Sequence, residues 1–217
     1  MRNDLRDLLE DWPKCFIGNV DLEMLLEKTD DARYSVIKRA VKSGILIRVK
    51  RGLYLIFSKL KRSLLDEFEL ALFLYGPSFV SLESALSYHG WIPEAVYTTT
   101  CVCVKRAKEF KTPVGVFSYK RVPVEGFYIG VDRIETGKGI IFVATPWRAL
   151  ADFIYTKRRS WKNLAQLEQD LRIDNDTLIK SDQEQLNLLI EYYPSRRVRE
   201  SLKRFAKEIT KNLERDA

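Results

Sequence analysis

The 217-residue sequence predicts an α+β protein built from two parts. Three patterns predict this class: helices followed by a β-hairpin near the start, short β-like runs separated by glycines in the middle, and helical periodicity at the end. We place the boundary so that residues 1–63 form the first part and residues 64–217 the second. Apolar residues make up 46% of the chain and charged residues 31%, which is typical of a globular protein rather than a disordered one.

The first part contains three helical segments and then a hairpin. A short opening helix is followed by a second one with leucines at helical spacing, and a third begins after Thr29 and ends before Gly44. Two β-branched and aromatic runs then flank a short turn at residues 50–52, which predicts a β-hairpin. Three helices followed by a hairpin are the plan of a winged helix-turn-helix domain.

The third helix has an apolar face and a basic face. At about 100° per residue, one sector contains Val36, Ile37, Ala40 and Val41, and the opposite sector contains Ser35, Lys38, Arg39 and Lys42. Basic and hydroxyl side chains bind phosphates and reach base edges in the major groove, and the hairpin would lie along the neighbouring backbone. The predicted DNA-contacting residues are Arg33, Ser35, Lys38, Arg39, Lys42, Arg48, Lys50 and Arg51. A solvated charged face is the alternative interpretation of this helix.

The net charge of +7 is concentrated at the two ends of the chain. Residues 1–63 carry +5, residues 195–217 carry +4, and the segment between them carries −2. This distribution favours a polyanionic partner for the basic first part. For the tail, an apolar stripe (Leu202, Phe205, Ile209 and Leu213) predicts a docked helix with solvated lysines. An RNA- or phosphate-contacting face and a nonspecific DNA-binding arm are alternatives for the tail.

The second part is predicted to begin with helices, continue with strands and end with helices. The predicted helices cover residues 64–74, 81–89, 147–155, 161–171, 183–193 and 198–213, and the predicted strands cover residues 96–104, 114–119, 127–131 and 140–144. Thr145 and Pro146 supply a start signal for the helix that follows the last strand. We expect this part to pack closely against the first, because no low-complexity linker separates them.

Composition and the start of the chain favour a cytoplasmic protein. No stretch approaches the roughly 18–20 apolar residues that a membrane span requires, and the charged start does not match a secretory signal. Three cysteines are too few for a disulfide scaffold and are typical of a reducing compartment. We therefore predict a cytoplasmic protein that does not associate with a membrane.

Catalytic and metal-binding patterns are weak, and we predict neither an enzyme nor a cofactor or metal site. His89 precedes Gly90 at a helix end, where a capping or packing role is favoured. Cys101 and Cys103 lie on the same side of a strand, without the further ligands that a zinc site requires. The sharpest enzymatic alternative is a metal-dependent nuclease that uses Glu109 and Lys111. Glu83 or Glu94 would be its upstream acid. A third alternative is an adaptor that binds only proteins.

Four motifs in order resemble the AbiEi family, the antitoxins of abortive-infection (type IV) toxin–antitoxin systems. They are residues 51–54 (RGLY), 75–90 (YGPSFVSLESALSYHG), 111–115 (KTPVG) and 144–152 (ATPWRALAD). The resemblance spans about residues 15–155. It implies an N-terminal winged helix that binds inverted repeats in the promoter of its own operon and represses it. It also implies a C-terminal domain that counteracts a nucleotidyltransferase-like toxin encoded alongside, without a required stable complex, in defence against phage.

Overall fold

The computed structural model describes residues 4–60, 65–94 and 96–216. It is a mixed α+β structure with N-terminal helices and a small antiparallel sheet, a six-stranded mixed sheet, and a C-terminal helical region. The predicted α+β class is therefore confirmed. The predicted boundary between residues 63 and 64 lies outside the described residues.

The N-terminal elements follow the predicted order, with one additional strand and one short additional helix. They are α1 (Leu5–Glu10), β1 (Phe16–Gly18), α2 (Asn19–Leu26), α3 (Asp30–Lys42), β2 (Leu46–Lys50), β3 (Leu53–Ile56) and a short α4 (Phe57–Leu60). The sheet has the order β1-β3-β2, and both pairings are antiparallel. The sequence did not predict β1, because a three-residue strand is too short to produce a periodic pattern.

Helix α3 begins and ends where the capping signals in its sequence predict. Thr29 is its N-cap residue, and Asp30 and Asp31 place negative charge in the first turn, where the helix dipole is positive. After the last turn, Gly44 adopts a positive φ of 73°, a conformation that glycine reaches without strain. The helix thus has fixed ends, and its face toward the core contains Ile37 and Ala40, which are buried.

The second part opens with two helices around a central strand and continues into a mixed sheet. Its first elements are α5 (Glu67–Leu74), β4 (Ser78–Val80), α6 (Leu82–Tyr88), β5 (Thr98–Cys103), β6 (Lys108–Thr112), β7 (Gly115–Arg121), β8 (Val131–Thr136) and β9 (Gly139–Ala144). The sheet order is β6-β7-β5-β4-β9-β8. Strands β5 and β7 are parallel, as are β4 and β9, and the other neighbours are antiparallel.

Three strands of this sheet differ from the sequence prediction. The sequence did not predict β4. All three of its residues are buried, so this central strand lacks the alternation of exposed and buried residues that would indicate a strand. Strand β6 is an edge strand with an exposed, charged sequence, so it contains no apolar run that would predict a strand. The strand predicted at residues 127–131 is wrong for most of its length. Residues 127–130 form turns instead, and β8 begins at Val131.

Helices complete the chain. They are α7 (Pro146–Lys157), α8 (Leu164–Leu171), α9 (Asn175–Ile179), α10 (Gln183–Tyr192) and α11 (Arg196–Asp216). Thr145 is the N-cap residue of α7 and Pro146 occupies its first turn, as predicted. In α11 the stripe of Leu202, Phe205 and Ile209 is fully buried, whereas Leu213 is 45% exposed and lies beyond the docked part.

The hydrophobic core continues from the small sheet into the large one. Phe16, Leu53 and Leu55 of the small sheet belong to the same buried cluster as the six-stranded sheet and its helices. The Phe16 ring packs against that of Phe73 on α5, with 4.8 Å between ring centroids. A second, smaller cluster fills the space between the N-terminal helices. In the described part of the chain, no helix is both long and apolar enough to cross a membrane.

Candidate nucleic-acid interface

Helix α3 exposes four of the eight side chains that the sequence assigns to DNA. Ser35, Lys38, Arg39 and Lys42 are all exposed, while Ile37 and Ala40 face the core. The Arg39 Nε atom donates to the Ser35 carbonyl oxygen at 3.3 Å, which holds its guanidinium along the helix surface. This face therefore combines three cations and a hydroxyl on one rigid helix.

Arg33 differs from the other candidates on α3. Its side chain is only 17% exposed and forms two ion pairs, with Asp30 on its own helix at 2.6 Å and with Glu23 on α2 at 3.7 Å. Asp30 and Glu23 neutralise much of the Arg33 charge and hold its side chain between α2 and α3. This geometry gives Arg33 a role in fixing the angle between α2 and α3, in addition to any contact with a ligand.

Tyr34 is a surface residue of α3 that the sequence interpretation did not assign. Its side chain is 68% exposed although it is large and aromatic. At 100° per residue it lies within about 40° of Lys38 on the helix circumference. The helical wheel could have identified it, but an aromatic residue beside Val36 and Ile37 is more often part of a core. An exposed ring at this place can contact a thymine methyl group or a sugar.

The hairpin after α3 presents its basic residues unequally. Arg48 and Arg51 are exposed. Arg51 precedes Gly52, which adopts a positive φ of 80° in the turn of the hairpin. Lys50 is half-buried, because its ammonium group donates to the carbonyl oxygens of Leu74 at 2.6 Å and Phe73 at 3.2 Å. Burial lowers the pKa of Lys50, and the nearby charges of Lys105 and Lys108 lower it further. Arg48 and Arg51 are thus free to reach outward, whereas Lys50 is held against α5.

The candidate upstream acids of the nuclease alternative lie outside the strand that carries its other two residues. Glu109 and Lys111 are exposed on the edge strand β6. Glu83, on α6, is ion-paired with Lys157, and Glu94 is ion-paired with Arg172. Within residues 4–60, 65–94 and 96–216, no group of three histidine, cysteine or acidic side chains is arranged to hold a metal ion.

His89 and the three cysteines are held within the fold. The Nε2 atom of His89 lies 2.9 Å from the Ala144 carbonyl oxygen and so links α6 to the end of β9. The three thiols are buried and free. Burial raises the pKa of Cys101 and of Cys103, which keeps both in the unreactive thiol form.

The basic tail divides into anchoring arginines and solvated lysines. Arg197 donates to the carbonyl oxygen of Ile154 at 2.9 Å, and Arg199 donates to that of Tyr193 at 2.6 Å. Arg204 donates to the carbonyl oxygen of Trp161 at 3.2 Å. Lys207 and Lys211, by contrast, are exposed. Part of the tail's charge therefore fastens α11 to the body of the protein.

No protein-family model matches this chain, and no curated protein matches it either. The two longest of the four sequence motifs, residues 75–90 and 144–152, are mostly buried around β4, α6 and α7.

Proposed function

We propose that this chain is a transcriptional repressor and antitoxin that binds double-stranded DNA through a winged helix-turn-helix. The observation that carries the proposal is the exposed basic face of α3, followed directly by a hairpin with exposed Arg48 and Arg51. The element order supports it as well, because β1 pairs with β3 and completes the small sheet of a winged helix. In this arrangement α3 enters the major groove, and the hairpin lies on the adjacent backbone.

Different residues of this surface have different tasks. Ser35, Lys38, Arg39 and Lys42 are the side chains that contact bases and nearby phosphates, and Arg48 and Arg51 contact the backbone beside them. Arg33 supports the surface from within by pairing with Asp30 and Glu23. The DNA target is a pair of inverted repeats upstream of the protein's own gene, as the AbiEi resemblance suggests. One copy of the chain would occupy each repeat.

A mobility-shift titration on the region upstream of the gene tests DNA binding. Replacing Lys38 and Arg39 together by alanine removes two cations from the exposed face and leaves the buried face of α3 intact. We expect the affinity for the upstream duplex to fall by about 10-fold or more, since one base-reading contact is worth about 1–3 kcal/mol. The matched control replaces Lys207 and Lys211, two exposed tail lysines, by alanine. Unchanged binding by the Lys38→Ala, Arg39→Ala variant would reject the assignment of α3.

The antitoxin half of the proposal rests on the motifs of the second part. It predicts a nucleotidyltransferase-like reading frame next to this gene. Expression of that reading frame alone should arrest growth, and co-expression of the complete chain should restore it. Because the family does not require a stable complex, rescue of growth is the readout and co-purification is not. Failure of the complete chain to restore growth would remove the antitoxin assignment and leave DNA binding untouched.

A further inference from the structure

Three lysines from the two parts of the chain meet beside the hairpin. Lys50 ends β2, Lys105 lies in the loop between β5 and β6, and Lys108 begins β6. Lys50 donates to the carbonyl oxygens at the end of α5, and Lys105 Nζ donates to the Gly76 carbonyl oxygen at 2.5 Å. The ammonium groups of Lys105 and Lys108 lie 5.5 Å and 5.8 Å from the centre of the Tyr75 ring. We call these three residues the lysine cluster.

The loop that carries the cluster is held in place by its neighbours. The Tyr75 hydroxyl donates to the Arg106 carbonyl oxygen at 3.1 Å, and the Cys103 thiol donates to the Lys105 carbonyl oxygen at 3.4 Å. Lys108 also lies over the Phe110 ring, 4.7 Å from its centre. A ligand that binds here therefore meets side chains that are already ordered, which lowers the entropic cost of binding.

Among the residues that the structure describes, no carboxylate is ion-paired with the lysine cluster. None of the ion pairs formed among the described residues includes Lys50, Lys105 or Lys108. Their partners are neutral carbonyl oxygens and aromatic rings, which stabilise a cation only in part. Arg106, in the same loop, is exposed as well. Positive charges held together in this way repel one another, and an anion placed among them removes that repulsion.

We infer that the lysine cluster is a second phosphate-binding site, through which the second part of the chain extends the hairpin's contact along the DNA backbone. This inference rests on the proposed binding of DNA by the first part. Lys50 makes the connection, since it ends a strand of the hairpin and contacts the carbonyl oxygens of α5. The ligand is the phosphodiester backbone of double-stranded DNA. Lysine binds phosphate as a point charge, so the cluster adds affinity without reading sequence.

The test measures the salt dependence of DNA binding by the full chain. Lys105 and Lys108 are replaced together by alanine, and the affinity is followed from about 50 to 200 mM salt on the upstream duplex and on an unrelated duplex of equal length. Each lost phosphate contact should reduce the slope of log K against log salt by about 0.9, so the double variant should lose about 1.8. Affinity should fall for both duplexes alike. The Lys105→Arg, Lys108→Arg variant should keep the slope.

Two controls separate this inference from the proposed function. If the wild type binds the upstream duplex and Lys38→Ala with Arg39→Ala weakens it, an unchanged slope in the Lys105→Ala, Lys108→Ala variant overturns the inference alone. Absence of salt-sensitive binding by the wild type overturns both. An equal loss in the Lys207→Ala, Lys211→Ala control also overturns the inference, because the effect would then be one of total charge. Should the alanine variant fail to fold, the Lys105→Gln, Lys108→Gln variant replaces it.

Discussion

The Arg148 guanidinium and the Asp152 carboxylate form an ion pair in the interior of the second part. Arg148 Nε lies 3.0 Å from Asp152 Oδ1, and the two side chains are 3% and 0% exposed. The carboxylate also accepts hydrogen bonds from the Ser81 and Tyr193 hydroxyls, at 2.8 Å and 2.9 Å. The guanidinium donates to the carbonyl oxygens of Gly126 and Ile129. One buried pair therefore joins α7 to the end of β4, to α10 and to the turn before β8.

Removing one partner of this ion pair should destabilise the protein more than replacing both partners with apolar residues. Asp152→Ala leaves the Arg148 charge buried without its counter-ion, and we expect a loss of about 3–5 kcal/mol in the free energy of unfolding. Replacing both residues with apolar ones, as in Arg148→Met with Asp152→Leu, removes both charges and should cost clearly less. Urea denaturation of Arg148→Met, of Asp152→Leu and of the variant with both substitutions provides the measurement. A double variant that loses the sum of the single losses would contradict this account.

Local sequence patterns predicted the first part of the fold well. Helix α3 combines an acidic first turn, a glycine after its end and a clean 3.6-residue period, and all three are local signals. Ser35, Lys38, Arg39 and Lys42 are accordingly exposed as predicted. Strand β1, by contrast, exists because Phe16 and Ile17 pair with β3, a long-range contact that no local pattern encodes.

The partners of charged side chains were harder to predict than their exposure. Arg33 pairs with a residue of the preceding helix, and Lys50 reaches carbonyl oxygens of a helix more than 20 positions later. Both residues look like free cations in the sequence, because only the tertiary fold brings their partners close. The same reason explains the tail, where the sequence gives a basic stripe and the structure divides it into anchoring arginines and solvated lysines.

The arginines of α11 should contribute to stability, and its exposed lysines should not. Arg197 donates to two carbonyl oxygens near the end of α7, those of Ile154 and Tyr155. Arg197→Ala should lower the free energy of unfolding by about 1.5–3 kcal/mol, the range for hydrogen bonds to charged groups. Lys207→Ala should change it by no more than about 0.5 kcal/mol. Equal effects in guanidinium denaturation would show that the tail arginines are not anchors.

The contact between Phe16 and Phe73 should make the two parts of the chain unfold together. Phe16 is 3% exposed and lies in the core that continues into the six-stranded sheet. Phe16→Ala removes a ring from that junction and should cost about 3–5 kcal/mol. The matched control is Met24→Ala, because Met24 is 65% exposed on α2 and its loss should have little effect. Calorimetry of the wild type should give one transition that moves to lower temperature in Phe16→Ala. Two transitions in the wild type, with only one of them shifted by the substitution, would mean that the two parts are stable independently.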